Sequence, residues 1–154
     1  MAASPSTPFA IRAATVADAA EIARLLTELG HPTSANDIAG RWASWLAADN
    51  AALVATAGPG PSLCGLATLG CMLVLHRPHP VGRITALVVE PARRGRGLGR
   101  ALVLAAERQL AERGCGLLEV TSNERLEAAH AFYQRLGYRR TSLRFAKELV
   151  SSAP

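Results

Sequence analysis

The stretch Arg93–Arg100, RRGRGLGR, places four arginines and three glycines in eight residues. It follows a β-branched run and precedes an apolar segment, so a strand and a helix should flank it. Unpaired amide groups and the positive end of the dipole meet at a helix N-terminus, and glycines let an anion approach the backbone without a Cβ atom in the way. Residues 94–100 therefore predict a phosphate-binding turn.

Other readings of this turn differ in the residues that they require. A dinucleotide fingerprint beginning at Gly95 needs a glycine where Arg100 stands, and a P-loop needs a lysine, whereas the only lysine is Lys147. A single-strand nucleic-acid site calls for interleaved aromatic residues, which the turn lacks, so we expect no nucleic-acid partner. A glycine-rich turn with merely solvated arginines is the remaining alternative.

Composition limits the class of protein. The 154 residues are 49% hydrophobic and 19% charged, which predicts one globular domain over residues 9–150 behind a flexible segment 1–8. The net charge of +5 favours anionic ligands. Neither an apolar run of spanning length nor a secretion signal is apparent, so we expect no membrane partner and a cytoplasmic location.

Cysteine and histidine spacing does not predict a metal site. Three cysteines without CxxC spacing indicate free thiols. His76 and His79 are too few to hold zinc, and Glu127 with His130 forms only one Glu-x-x-His pair. We therefore expect no metal.

Hydrophobic periodicity predicts the elements that position the turn. Trp42 and Trp45 fall on the apolar stripe of the second helix and are assigned to the core. The expected order is strand 9–12, helix 15–30, helix 34–46, strands 51–57, 63–75 and 82–90, a helix that follows Gly99 and ends near Gly114, strand 116–122, helix 123–136 and strand 142–149. Because hairpin-linked strands accompany one βαβ unit, the sheet should be mixed.

Two blocks resemble a known family. VVEPARRGRGLGRAL resembles motif A of the GNAT (Gcn5-related N-acetyltransferase) superfamily at Val89, Pro91, Arg94, Gly97 and Gly99. The resemblance implies an α+β fold whose mixed, largely antiparallel sheet has six to seven strands and about four helices around it.

The second block, TSNERLEAAHAFYQRLGY, resembles motif B of the same family. Phe132, Tyr133, Gly137 and Tyr138 occupy its characteristic positions. This block is also similar to a subgroup that includes aminoalkylphosphonate N-acetyltransferases.

The resemblance implies acetyl-CoA as donor and a small-molecule primary amine as acceptor, joined in a ternary complex. Leu87 and Val89 would pair with pantetheine, and the amide of Val88 or Val89 would hold the thioester oxygen. Tyr133 would protonate the leaving thiolate, and Asn123 would either cap the last helix or touch the cofactor. The diphosphate would lie on the turn residues Arg94, Gly95, Arg96, Gly97, Leu98, Gly99 and Arg100.

The general base and the acceptor are less determined. The strand RITALVV carries no carboxylate, which leaves an ordered water or one of the substitutes Glu119, His130, His76 and His79. Cationic residues would suit an amine that also bears a carboxylate or phosphonate. The candidates for that cleft are His31, Arg77, Arg83 and Arg144.

Three alternatives stay open. The acceptor could be a protein or peptide N-terminus. The chain could also be a binding protein and not an enzyme, namely a non-catalytic acyl-CoA sensor. A homodimer is compatible with the sequence, which does not decide the oligomeric state.

Overall fold

Five strands form one sheet in the computed structural model, which describes residues 9–150. Two compact units divide these residues, 9–121 and 122–150, and each is described by itself. The segment 1–8, expected to be flexible, lies outside the described residues. The strands are β1 (Ala10–Ala13), β2 (Asn50–Thr56), β3 (Leu63–Met72), β4 (Val81–Val89) and β5 (Leu117–Val120). The helices are α1 (Ala19–Glu28), α2 (Ala35–Ala47), α3 (Leu98–Glu112) and α4 (Glu127–Arg135).

The sheet is mixed, as predicted. Its strand order is β1-β2-β3-β4-β5, in which β1 to β4 are antiparallel neighbours and β4 pairs with β5 in parallel. The parallel pair is joined through α3, which confirms the predicted βαβ unit. The β4–β5 pairing runs only from Val81 opposite Leu117 to Ile84 opposite Val120. Residues 85–89 of β4 therefore have no strand beside them on the β5 side within the described residues.

Helices cover both faces of the sheet. Leu66 of β3 packs in a buried cluster with Ile22 and Leu25 of α1. A Cβ atom at the neighbouring Gly65 would instead meet Leu102 of α3 at 2.9 Å. Because successive strand residues point to opposite faces, α1 and α3 lie on opposite sides of β3.

Local sequence signals explain where the first helices begin. The Thr15 amide donates to Asp18 at 2.9 Å and caps the single 3-10 turn Val16–Asp18 that leads into α1, whereas the Asp37 amide donates to Ser34 Oγ at 3.1 Å at the start of α2. Both pairs satisfy amides that a helix start leaves unpaired, as the predicted capping boxes require. None of the helices in the described part of the chain is long and apolar enough to cross a membrane.

The predicted last strand is wrong. Residues 142–149 are not a strand, so the sheet described over residues 9–150 has five strands rather than six to seven. Leu143, Phe145 and Leu149 alternate as a strand would, yet all three are exposed. Alternation is only a necessary condition, because a strand exists only where its backbone finds a pairing partner.

Candidate functional site

Two left-handed glycines shape the turn between β4 and α3. After a single 3-10 turn over Pro91–Arg93, Gly95 has φ +74° and Gly97, the N-cap of α3, has φ +81°. Both angles lie where a side chain strains the backbone. Leu98 follows at once and is buried, so it anchors the turn to the core. The sequence thus places glycine at the two positions that the bend requires.

The amides of residues 95–100 are open to a ligand. No backbone or side-chain acceptor within residues 9–150 takes any of them, and Ala101 is the first to donate into the helix, to the Gly97 carbonyl at 3.0 Å. A Cβ atom built on Gly95 or Gly97 would find nothing within 4 Å. These donors, at the positive end of a 15-residue helix, form a cradle suited to an anion.

The arginines of the turn divide into two kinds. Arg94 donates through Nε to the Val89 carbonyl at 3.0 Å, which ties the turn to the end of β4. Arg96 and Arg100 are exposed, and their side chains form no ion pair or hydrogen bond within residues 9–150. Their charges are therefore free to attract an anion to the cradle.

The open edge of β4 presents selected backbone groups. The Glu90 amide donates to Cys64 of β3 at 2.9 Å. Because amide directions alternate along a strand, the Val88 amide also faces β3, whereas Leu87 and Val89 face the side that β5 leaves open. The amides of Leu87 and Val89 therefore point to the open side of β4. The pairing of these residues with pantetheine, and the role of Val88 or Val89 as the oxyanion donor, stay predictions.

Tyr133 lies on α4 in the second unit. Its ring makes edge-to-face contacts with Phe132 at 5.1 Å and with Tyr138 at 5.7 Å between ring centroids. Burial raises the pKa of the Tyr133 phenol above its ordinary value. The phenol is therefore protonated at neutral pH and able to donate.

Asn123 serves the segment that leads into α4. Its Oδ1 accepts from the Arg125 amide at 3.0 Å, and its carbonyl accepts from the Leu126 amide at 3.0 Å. Leu126, not Asn123, is the N-cap of α4. The asparagine thus caps the preceding turn, and the predicted cofactor contact stays a prediction.

Two of the candidate bases already have partners. Glu119 accepts from Arg83 Nε at 3.1 Å, and the His130 ring Nε2 lies 2.8 Å from the Asn123 carbonyl. His76 and His79 are exposed in the segment between β3 and β4. Within residues 9–150, no three His, Cys, Asp or Glu side chains come together in a group that could hold a metal ion.

The predicted acceptor residues differ in availability. Arg83 is engaged with Glu119, whereas His31 and Arg77 are exposed in the first unit. Arg144 is exposed in the second unit. Thr33, two residues after His31 in the α1–α2 turn, has a buried hydroxyl without a hydrogen-bond partner in the described part of the chain.

A cavity that sequence reasoning missed lies between α1, α2 and the sheet. Its volume is about 230 Å³, and Arg41, Trp42 and Trp45 contribute to its lining. The tryptophans pack against the core, as predicted, but both are only half-buried. The close spacing of Arg41, Trp42 and Trp45 along α2 was the sequence signal for this cavity. An apolar stripe shows that a helix face packs against the core, but it does not show whether the packed side chains fill the space beneath the helix.

Sequence comparison finds a family. The sequence model of the acetyltransferase (GNAT) family matches residues 19–138. An aminoalkylphosphonate N-acetyltransferase of Salmonella typhimurium is 36% identical over 85 residues, which are 55% of this chain and 55% of that protein. A mycothiol acetyltransferase of Streptosporangium roseum is 37% identical over 65 residues, which are 42% of this chain and 19% of that protein. The chain thus spans about half, or less, of these curated relatives.

Structural comparison extends the likeness to nearly the whole chain. The crystal structure of a Trypanosoma brucei acetyltransferase has a TM-score of 0.82 at 26% sequence identity, covering 92% of this chain and 100% of the other. The family match includes the turn, the open edge of β4 and Tyr133. The chain belongs to the acetyltransferase (GNAT) family.

Proposed function

We propose that this chain is an acetyl-CoA-dependent N-acetyltransferase that acts on a primary amine of a small molecule. The observation that carries the proposal is the row of open amides at residues 95–100, directly beside the open edge of β4. An anion cradle next to unpaired strand groups suits a ligand that has a diphosphate followed by an amide-containing arm. Coenzyme A has this construction.

The turn would hold the diphosphate, and β4 would hold the arm. Arg96 and Arg100 would add charge-assisted hydrogen bonds to those of the amides. With the diphosphate at residues 95–100, an extended arm meets Val89 first, then Leu87, and ends near Thr85. Thr85 is the residue left over where the β3–β4 register shifts, next to the last paired residue Ile84. The thioester would therefore lie where β4 and β5 part.

The chemistry requires one bond to form and one to break. The amine nitrogen attacks the thioester carbonyl, the carbon–sulfur bond breaks, and the sulfur leaves as thiolate. An amide of the β4 edge would stabilise the charge on the carbonyl oxygen. Tyr133 would give its proton to the thiolate, and the proton lost by the amine would pass to an ordered water or to one of the candidate bases Glu119, His130, His76 and His79.

Small polar amines are the acceptor class that relatives suggest. The Salmonella relative is named for aminoalkylphosphonates and the Streptosporangium relative for mycothiol. The excess of arginine in this chain agrees with an acceptor that carries an anionic group as well as the amine.

Calorimetry and a thiol-release assay test the proposal. We expect coenzyme A uptake at moderate ionic strength, and release of free thiol from acetyl-CoA only when a suitable amine is present. The amine panel should include a short peptide, which decides between small-molecule and peptide acceptors. Uptake without release for any amine would indicate a sensor, and no uptake by folded protein would overturn the assignment.

A further inference from the structure

The cavity beneath α2 is built from apolar side chains and one cation. Its volume is about 230 Å³, and it is partly open to solvent. No residue of α2 is fully buried, so this helix covers the sheet without filling the space below it. The lining residues are Ile22, Leu26, Ile38, Arg41, Trp42, Trp45, Ala52 and Thr68.

The two indoles give the cavity a shape. Trp42 and Trp45 have ring centroids 5.5 Å apart and planes inclined by 41°. Each is half-buried, although an indole is among the largest apolar surfaces a protein can bury. A flat ring placed against them would cover surface that the fold leaves open, which favours an aromatic group over a branched aliphatic one.

Arg41 determines the charge that the cavity accepts. It is the only charged residue of the lining, and its guanidinium forms no ion pair within residues 9–150. Asp37, one turn earlier, accepts from Ser34 Oγ at 2.7 Å and also interacts electrostatically with Arg41, which is exposed and keeps donors for a ligand. A positive charge beside apolar walls disfavours an ammonium group and favours a carboxylate or phosphonate.

Thr68 connects the cavity to the open edge of β4. It lines the cavity, and its Oγ1 lies 2.7 Å from Oγ1 of Thr85. Thr85 is where the arm of the coenzyme would end. An amine bound in the cavity could therefore reach the acyl group from the Thr68 end while its other groups face Arg41 and the tryptophans.

We propose that this cavity binds the acceptor, and that the acceptor is a primary aliphatic amine that also carries an aromatic ring and an anionic group. The inference rests on the proposed function, because it takes the acyl group to lie near Thr85. The ring would contact Trp42 and Trp45, the anion would pair with Arg41, and the amine would face Thr68.

Intrinsic fluorescence provides a test that needs no coenzyme. Trp42 and Trp45 are the two tryptophans of the chain, so tryptophan emission, excited selectively, reports on these two indoles of the lining. The probes are phenylalanine, phenylalaninamide, which lacks the acid, and alanine, which lacks the ring. We expect saturable quenching by phenylalanine at a concentration at least about tenfold lower than for either of the other two.

Arg41→Gln is the matching variant, with Arg108→Gln as its control on the exposed side of α3. Arg41→Gln should remove the preference for phenylalanine over phenylalaninamide, and Arg108→Gln should leave it unchanged. Three results would overturn the proposal. These are tryptophan emission that phenylalanine does not change, alanine binding as tightly as phenylalanine, and a preference for phenylalanine over phenylalaninamide that persists in Arg41→Gln. Coenzyme A uptake, measured separately by calorimetry, shows whether the proposed function fails as well.

Discussion

Arg94 Nε donates to the carbonyl of Val89 at 3.0 Å, so one side chain joins the anion cradle to the open edge of β4. The bond occupies the carbonyl of Val89 and leaves its amide for the coenzyme arm. It also holds the turn at a set distance from the strand. The two halves of the proposed coenzyme site are therefore positioned together.

Arg94→Lys should weaken coenzyme A binding although it keeps the charge. Lysine lacks the planar fork that can hold the Val89 carbonyl and face an anion at once. We expect about a tenfold rise in Kd by calorimetry, a loss of one charged hydrogen bond. Arg108→Lys is the control, because Arg108 is exposed on α3, has no part in the proposed coenzyme site and should change Kd little.

Gly97→Ala should lower both stability and coenzyme affinity. At φ +81° an alanine costs about 1 kcal/mol, and relief of that strain would turn the amides away from the ligand. Gly114→Ala, at φ +83° just beyond the other end of α3, carries the same strain with equal open space. Thermal melts should show similar losses for both variants, and equal coenzyme affinities in the two would contradict a role for the turn.

Tyr133→Phe should lower kcat by about 100-fold and leave coenzyme binding unchanged, if the phenol protonates the leaving thiolate. Burial raises the pKa of Tyr133, so the wild-type phenol stays protonated through neutral pH and up to its ordinary value of 10.0. Its ionisation should therefore remove activity only above that pH. A kcat of Tyr133→Phe equal to wild type would exclude the assigned role.

Asp18→Asn should destabilise the fold by about 1 kcal/mol, since it removes the charge from two 2.8 Å contacts with Arg12, whose own side chain is 45% exposed. The hydrogen bonds from Arg12 lower the pKa of Asp18 below 3.8. The stabilisation is therefore present above pH 3.8 and is lost as pH falls through the lowered value. Denaturation from pH 7 to pH 2 should show the difference between wild type and variant shrinking at the acid end. A constant difference would contradict the ionic contact.

Cys71 and Cys115 should form a disulfide under mild thiol oxidation, because their sulfurs lie 3.4 Å apart. Diamide would take two electrons and two protons from the pair, and two free thiols would disappear from a thiol titration. Burial, with Cys115 nearby, raises the pKa of Cys71 to about 11, so the reaction should accelerate as pH rises toward that value. Cys115→Ser should abolish the cross-link. Retention of all three thiols would contradict the inferred proximity.

Helix starts and the glycine-rich turn could be predicted from the sequence, because the residues that determine them lie within a few positions of one another. Capping pairs such as Ser34 with Asp37 and the left-handed glycines of the turn act within a few residues. The mixed sheet followed from the order of hairpin and βαβ patterns. The last strand was mispredicted, because alternation at Leu143 and Phe145 says nothing about whether a partner strand is available.

The sequence by itself determined the glycine-rich turn, its helix and the family blocks, since backbone conformation there depends on residue type at single positions. Only the tertiary structure decided that the pairing of β4 with β5 ends at Ile84. It likewise decided that Arg83 is engaged with Glu119, and that Trp42 and Trp45 border a cavity. Each of these depends on contacts between residues far apart in the chain. Pairing length, ion pairing and unfilled volume are properties of packed elements, and no local pattern encodes them.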